Sequence, residues 1–280
     1  KDFALEPITS SDITETQSLL PYIDSIISHA QSKRVRIMID AEQTYFQPAI
    51  DDIAVTLCRK FNPPLPGRGE NQSNRRGPVV YNTYQMYLRD TEGRLREDVE
   101  RAERGGFAFG VKLVRGAYLQ SERERSEELS YPDPIQPTLA DTHAAYNRGI
   151  EFLAERLSSL KASEQGVDGG GDIRPLSFVV ASHNRESVER AKGVMDKVGI
   201  GRGEGTVSFA QLMGMKDKIT FGLAAGGYKA FKYIPYGPIE VTIPYLQRRA
   251  QENSAILGGG ATAEDKSGLI EELKKRLLGA

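Results

Sequence analysis

The sequence has no long apolar run, few histidines, a single cysteine and almost no net charge. None of its hydrophobic stretches reaches the roughly 20 residues that a membrane-spanning helix needs, so we expect no spanning segment. Its 37 basic and 38 acidic residues give a formal net charge of −1, which argues against a nucleic-acid partner and fits a small neutral or zwitterionic substrate. The lone Cys58 cannot form an intrachain disulfide and is predicted to fill the core.

Recognisable targeting signals are missing from the beginning of the chain. It starts Lys1-Asp-Phe-Ala-Leu, without a methionine, an apolar signal-peptide core or an Arg- and Ser-rich transit pattern. We therefore expect a chain that has been trimmed.

The residues needed for metal or nucleophilic catalysis are also scarce. The three histidines, His29, His143 and His183, are scattered along the chain, so a metal site with several converging ligands is not expected. Ser182 directly precedes His183, and neighbours on a strand point to opposite faces, so the pair is not a catalytic dyad. Chemistry carried by a bound cofactor is the alternative that remains.

Short apolar, β-branched runs alternate with helical patterns along the chain. Strands are predicted at residues 35–39, 79–81, 107–114, 178–181, 207–210 and 230–234, and helices at 13–29, 47–61, 95–104, 141–160 and 185–197. Such alternation favours parallel strands joined by crossover helices. With residues 1–5 as the edge of a further strand, the count is seven, and a closed barrel needs eight.

The fold prediction is therefore an α/β protein with a (β/α)8 TIM-type barrel that lacks its first strand and helix unit in this chain. A doubly wound open sheet is the alternative, but its glycine fingerprint is absent, because the cluster Gly201-Arg-Gly-Glu-Gly205 precedes a strand instead of following one. One catalytic barrel domain is expected over residues 1–258. Surface insertions are predicted at about 62–77 and 163–175, and an amphipathic helix at 259–280 is expected to dock on the barrel.

Polar residues follow nearly every predicted strand. In a barrel of this kind the chemistry lies at the carboxyl ends of the strands, so these residues form a candidate site. They are Asp40, Glu42, Asn82, Lys112, Arg115, Tyr118, Ser182, His183, Asn184, Gln211, Tyr233 and Tyr236. Such a polar set without a nucleophile suits a flavin. A Schiff-base aldolase that uses Lys112 and a non-catalytic interaction platform remain as alternatives.

The last predicted helix carries paired arginines one turn before a carboxylate. Arg249 and Glu252 are spaced i, i+3 and can meet on one helix face, which is typical of a solvated surface with an ordinary ion pair. At a barrel mouth, Arg248 and Arg249 could instead bind a substrate carboxylate in fork geometry.

Five ordered motifs resemble the proline dehydrogenase family over nearly the whole chain, closest to eukaryotic, fungal-like monofunctional members. The motifs are Ile39-Asp40-Ala41-Glu42-Gln43, Lys112-Leu113-Val114-Arg115-Gly116-Ala117-Tyr118, Ala181-Ser182-His183-Asn184, Tyr233-Ile234-Pro235-Tyr236-Gly237-Pro238 and Tyr245-Leu246-Gln247-Arg248-Arg249-Ala250-Gln251-Glu252-Asn253. The resemblance implies FAD-dependent oxidation of L-proline to 1-pyrroline-5-carboxylate. A sister activity, hydroxyproline dehydrogenase, is the alternative, and its members tend to carry a smaller residue where this chain has Tyr233.

The resemblance also implies roles for individual residues. Catalytic residues would be Asp40, Lys112, Tyr233, Arg248 and Arg249. The substrate would contact Lys1, Asp40, Leu113, Tyr233, Tyr245, Arg248 and Arg249. The FAD would contact Ala41, Asn82, Lys112, Val114, Arg115, Gly116, Ala117, Tyr118, Ser182, His183, Asn184, Gln211 and Glu252.

Some positions depart from the family pattern. Bacterial members carry Arg where this chain has Lys112 and Gln where it has Asn82, and Asp2 and Phe3 depart from the residues that usually follow the lysine matched by Lys1. These departures concern the flavin contacts of Lys112 and Asn82 and the substrate contact of Lys1. The resemblance further implies electron transfer to a quinone, peripheral membrane contact, and a mitochondrial location on the matrix side of the inner membrane.

Overall fold

A computed structural model of the chain describes residues 9–65, 77–164 and 175–247. Helices and strands alternate along the described residues. The strands are β1 (Ile37–Ile39), β2 (Val80–Gln85), β3 (Phe109–Val114), β4 (Leu176–Ala181), β5 (Val207–Leu212) and β6 (Ala230–Tyr233). The helices are α1 (Ser10–Lys33), α2 (Gln47–Phe61), α3 (Thr91–Gly105), α4 (Leu119–Leu129), α5 (Leu139–Glu164), α6 (Arg185–Lys197), α7 (Asp217–Ala225) and α8 (239–247).

Local sequence explains several of the helix boundaries. Helix α2 has a proline in its first turn, where the missing N–H of proline has no helical partner to lose. Helix α3 ends at Gly106, whose φ of 72° lies in the left-handed region that glycine adopts without strain. Helix α6 begins after Asn184, whose side chain accepts a hydrogen bond from the Ser187 backbone N–H.

All six described strands are parallel and lie in sequence order, β1-β2-β3-β4-β5-β6. A doubly wound sheet reverses its strand order at a switch point, and this sheet has no reversal among its described strands. The sequential order therefore agrees with the predicted barrel and disagrees with the open-sheet alternative.

The sheet is curled into a half-barrel, and a hydrogen-bonded arginine spans the curl. In a flat sheet β1 and β5 would lie about 19 Å apart, since neighbouring strands are about 4.8 Å apart. That is more than an arginine side chain can span. Yet Arg36, next to β1, donates from Nη2 to the Gly205 carbonyl (2.9 Å) and from Nη1 to Ser208 Oγ on β5 (3.4 Å).

The curl separates an inner face of the sheet from an outer face that is covered by helices. On β3 the outer residues Phe109, Val111 and Leu113 are buried in the main core, where they join apolar side chains from the helices. Lys112 lies on the inner face, as alternation along a strand requires. Cys58 is fully buried in the same core, where burial raises the pKa of its thiol to about 12.

The predicted strands and helices are largely confirmed. All six strands form, and α2 and α6 have the predicted bounds. Strand β2, however, continues to Gln85, four residues beyond its predicted end. Two helices were missed, α4 and α7, because the first is charged without an apolar stripe and the second is only 9 residues long. The first strand, most of both insertions and the terminal helix lie outside the described residues.

Among the described residues, no helix combines the length and apolarity needed to cross a membrane.

Candidate active site at the carboxyl ends of the strands

Lys112 and Asp40 form an ion pair on the inner face of the sheet. Lys112 lies on β3 and Asp40 directly follows β1, so the curl brings together side chains from strands that are separated by β2. The Lys112 side chain is 17% exposed and the Asp40 side chain 59%, which places the cation inside and the carboxylate toward the opening. The pair offers a fixed positive charge in a partly desolvated setting.

Two tyrosine rings lie close together at the end of the last described strand. Tyr233 ends β6 and pairs in register with Leu212 of β5. Its ring lies 6.0 Å from the ring of Tyr245, centroid to centroid, with 46° between the planes. Tyr233 is 42% exposed, so one face of its ring is open to a ligand. These are the two aromatic residues that the sequence assigns to the substrate pocket.

The loop after β1 is held in place by several hydrogen bonds. Tyr118 donates its hydroxyl to Glu42 Oε2 (2.6 Å), and Gln85 Nε2 donates to the Glu42 carbonyl (2.7 Å). The buried Glu122 carboxylate of α4 accepts from the backbone N–H and from the hydroxyl of Thr44 (2.6 and 2.7 Å). Asp40 and Ala41 therefore belong to a loop that both α4 and the end of β2 position.

Arg115, directly after β3, is bound from three directions by neutral groups. Its Nε donates to His143 Nδ1 (3.0 Å), Nη1 donates to Ser182 Oγ (2.7 Å) and Nη2 donates to Ser187 Oγ (2.9 Å). The guanidinium also lies 4.4 Å from the centroid of the Tyr146 ring. Burial lowers the pKa of Arg115 from its usual value. Arg115 is thus a partly desolvated cation. Within the described residues, no carboxylate accepts a hydrogen bond from it.

Gly116 follows Arg115 in a conformation that requires glycine. Its φ is 146°, and a Cβ there would come within 2.3 Å of the Tyr87 ring. The chain therefore turns sharply between half-buried Val114, on the inner face, and Ala117, before α4.

Ser182, His183 and Asn184 lie in the loop between β4 and α6. His183 Nε2 accepts from the Leu212 backbone N–H (2.9 Å), which ties this loop to the end of β5. Burial, followed by the charges of Lys232, Lys216 and Arg115, lowers the pKa of His183 to about 4. His183 is therefore neutral near pH 7. Asn184 uses its side chain to cap α6.

A cleft of about 640 Å³ opens between α6 and α7 beside this loop. Its lining is rich in cations and contains one carboxylate, Glu189, which is paired with Lys192. The lining includes His183, Asn184, Arg185, Lys192, Lys216 and Lys218. Together with the Arg115 guanidinium, this donor set fits the diphosphate of a dinucleotide such as FAD.

Three residues assigned to ligands by sequence face the helices instead. Asn82 is fully buried and donates to Asp51 Oδ1 on α2 (2.8 Å). Leu113 is buried in the core, where it faces Gly149 of α5. Gln211 donates to the Ser182 carbonyl (3.2 Å) and accepts from Thr220 of α7 (2.8 Å). Each of these three side chains lies on the outer parity of its strand, and the ligand contacts assigned to them stay predictions.

Gln85 and Glu42 also belong to the site, although the family resemblance implied no ligand contact for them. Gln85 shares the inner face of β2 with Tyr81 and Thr83, and it reaches the loop after β1. The alternation could have indicated it, had the strand been extended through Gln85. Lys1, Arg248, Arg249 and Glu252 lie outside the described residues.

Comparisons with known proteins agree on one family. A family model described as proline dehydrogenase matches residues 4–259. "Proline dehydrogenase 1, mitochondrial" of Drosophila melanogaster is 41% identical over 94% of this chain and 36% of that protein, and the human protein of the same name is 40% identical over 98% and 42%. "Hydroxyproline dehydrogenase" of Bos taurus is 39% identical over 100% of the chain and 55% of that protein. The chain thus spans between about a third and about half of these relatives.

A solved structure has a similar fold. The crystal structure of proline utilization A (PutA) from Bdellovibrio bacteriovorus, inactivated by N-propargylglycine, superposes with a TM-score of 0.64. The identity is 24%, and the match covers 80% of this chain and 20% of that one. At this identity the match supports the architecture alone.

Proposed function

The chain belongs to the proline dehydrogenase family, and we propose that it oxidises L-proline to 1-pyrroline-5-carboxylate with FAD as the hydride acceptor. The observation that carries the proposal is the arrangement at the carboxyl ends of the strands. The inner-face pair Lys112 and Asp40 and the ring pair Tyr233 and Tyr245 lie at the same end of one parallel sheet as Arg115.

Each group has a task in this proposal. When bound, FAD supplies the acceptor for the hydride that leaves the carbon next to the proline nitrogen. Lys112 holds a positive charge on the inner face, and its pairing with Asp40 restricts its motion. Tyr233 and Tyr245 flank the proline ring, while Arg248 and Arg249 bind its carboxylate in fork geometry. Hydride loss requires a neutral amine, so the amine of proline must lose its proton before the transfer.

Groups at the carboxyl ends of the strands would hold the cofactor. Ala41, Val114, Gly116, Ala117 and Tyr118 would line its site, together with Arg115, Ser182 and the cleft between α6 and α7. His183 and Asn184 border that cleft. Glu252 completes the site by resemblance. Asn82 and Gln211 support this pocket from the outer side of the sheet, since their side chains bond to α2 and α7.

The complete fold is proposed to be a (β/α)8-type barrel. Residues 1–5 would add a strand to the six described ones. Residues 1–258 would form the catalytic barrel, with surface insertions at about 62–77 and 163–175. The helix at 259–280 would dock on its outside.

In this proposal a quinone would be the final electron acceptor, which implies peripheral contact with a membrane. Several relatives are named mitochondrial, including those of Drosophila melanogaster, Homo sapiens and Arabidopsis thaliana. These names support a mitochondrial location, and we propose in addition that the protein acts on the matrix side of the inner membrane.

Hydroxyproline dehydrogenase is a second candidate activity. Proteins of that name from Bos taurus, Mus musculus and Xenopus laevis are 39%, 38% and 35% identical to this chain. The phenol of Tyr233 favours proline, because a ring hydroxyl on the substrate would meet it.

The test is anaerobic flavin reduction by the purified protein. A flavin absorption spectrum that L-proline bleaches, and that 4-hydroxyproline bleaches much more slowly, is the expected result. Faster bleaching by 4-hydroxyproline would select the second candidate. A colourless protein in which borohydride links a carbonyl substrate covalently to Lys112 would reject both dehydrogenase activities in favour of Schiff-base chemistry.

A further inference from the structure

His143 of α5 takes no part in the reaction proposed above, yet it holds the cation that faces the cofactor path. Its Nδ1 accepts the Nε–H of Arg115 at 3.0 Å. The ring is half-buried between α5 and the beginning of α6, where Ser187 also binds Arg115.

The contact with His143 determines how the guanidinium is oriented. A guanidinium is a rigid planar fork with five N–H donors. Once Nε–H is fixed on His143 and the plane lies against Tyr146, the two terminal nitrogens can only face the β4–α6 loop. Nη1 and Nη2 each give one N–H to a serine, Ser182 and Ser187. The other two N–H donors have no acceptor among the described residues, and they suit a phosphate oxygen.

The contact also determines the protonation state of His143. Arg115 is a donor only, so Nδ1 must carry a lone pair and the ring must be neutral, with its proton on Nε2. If the ring were protonated, the Nδ1–H of His143 would point at the Nε–H of Arg115, and two positive charges would lie next to each other. Two charged groups of neighbouring elements face the ring, Arg115 after β3 and Glu186 in the first turn of α6.

We propose that His143 is a positioning residue for the cofactor: as a neutral acceptor it directs Arg115 at the FAD diphosphate, so that flavin binding weakens in acid. The inference rests on the proposed function and adds a residue and a pH dependence to it.

The direction of the pH effect follows from linkage. Burial and then the charge of Arg115 lower the pKa of His143 below its ordinary value near 6.5. Its contribution is therefore complete above about pH 6.5 and is lost as the pH falls further and the ring takes up a proton.

The test compares four full-length proteins by the quenching of FAD fluorescence on binding, at about pH 8 and about pH 5.5, on either side of the ordinary histidine pKa. They are the parent, His143→Leu, His143→Asn and His29→Leu. Leucine removes the acceptor. Asparagine places Oδ1 near the position of Nδ1 and does not titrate. His29 is an exposed histidine of α1, remote from the site, and is the matched control.

The parent and the His29→Leu control should bind FAD equally and lose affinity together at the lower pH. His143→Leu should bind about tenfold more weakly at about pH 8, which corresponds to the loss of one hydrogen bond to a charged group. The FAD affinity of His143→Asn should stay within about threefold of the parent at about pH 8, a smaller change than the loss of a full hydrogen bond. Between about pH 8 and about pH 5.5, its affinity should fall less than that of the parent.

Two results would overturn the role of His143. One is parent-like binding by His143→Leu at the higher pH. The other is a His143→Leu protein that, without flavin, melts at a clearly lower temperature than the parent, while His143→Asn restores neither the melting temperature nor the FAD affinity. That result would indicate a structural role. If the parent itself binds no flavin at either pH, the proposed function is wrong, and that failure is distinct from the other two.

Discussion

At the scale of single residues, neighbours on one strand act in different parts of the molecule. Lys112 reaches Asp40 across the inner face of the sheet, whereas the next residue, Leu113, packs beneath α5. The same alternation puts Gln85 at the loop after β1 and Asn82 against α2. The chemistry of a side chain therefore decides its role only together with its parity on the strand.

Asn82→Ala should destabilise the protein more than it weakens flavin binding. Asn82 is fully buried and bonds to Asp51 and to the Thr83 backbone N–H, so its removal leaves buried groups unsatisfied. We expect a loss of about 1–3 kcal/mol in the free energy of unfolding, measured by urea denaturation of the flavin-free protein. If the variant unfolds like the parent but loses FAD affinity, Asn82 contacts the flavin directly.

Tyr233→Ser should admit 4-hydroxyproline and weaken the use of proline. The smaller side chain removes the ring that packs near Tyr245 and leaves room for a substrate hydroxyl. The ratio of kcat/KM for the two substrates is the measurement. Tyr236→Ser is the matched control, because Tyr236 is fully exposed in the loop that follows β6. An unchanged ratio in the Tyr233 variant would remove this tyrosine from the pocket.

Arg248→Met should reduce kcat/KM for proline by roughly 30- to 1000-fold if the arginine binds the substrate carboxylate, equivalent to about 2–4 kcal/mol. A solvated ion pair contributes only about 0–1 kcal/mol, so the two interpretations differ clearly. Flavin content must be measured in the same samples, since Arg249 and Glu252 are also assigned to the site. A loss below about threefold on flavin-replete protein would leave the clamp without support.

At the scale of elements, the site is assembled from loops that reach across to neighbouring strands and helices. The β1–α2 loop is held by α4 through Glu122, and the β4–α6 loop is held by the end of β5 through His183. These ties connect elements that are far apart in sequence. A change in one loop is therefore transmitted to the strand end beside it.

His183→Gln should make the protein less sensitive to acid. The pKa of His183 is about 4 in the folded chain, below its ordinary value of 6.5, so the stability it contributes is present above about pH 6.5 and is lost as the pH falls toward 4. Glutamine can accept from Leu212 without titrating. Between these pH values, we expect the free energy of unfolding to fall by up to about 3 kcal/mol more in the parent than in the variant. Denaturation at several pH values, with His29→Gln as the control, measures this difference, and parallel curves would contradict it.

At the scale of the whole molecule, the curl of the sheet is what turns a row of strand ends into a site. Asp40 and Lys112 lie on strands that are not neighbours, and Arg36 joins β1 to β5 across the inside. Consecutive parallel pairing without a reversal lets every crossover helix lie on the same outer face. The inner face is thereby left free of crossover helices among the described residues.

Arg36→Met should destabilise the folded chain by about 1.5–3 kcal/mol, because it removes hydrogen bonds from a charged group to Gly205 and Ser208. Arg59→Met is the matched control. Arg59 is exposed on α2 and lies over the Phe107 ring, a contact worth about 0.5–1 kcal/mol. Urea denaturation followed by circular dichroism compares the two. Equal losses in the two variants would mean that Arg36 has no special part in the curl.

The sequence by itself determined the alternation of strands and helices, the bounds of α2 and α6, and the family, because apolar periodicity and ordered motifs are local properties. Only the tertiary structure decided which polar side chains meet. The outward facing of Asn82, Leu113 and Gln211 became clear only in the folded sheet, where their side chains contact α2, α5 and α7. The contacts of Arg115 with His143 and of Arg36 with Gly205 join residues brought together by helix packing and sheet curl, neither of which leaves a local pattern in the chain.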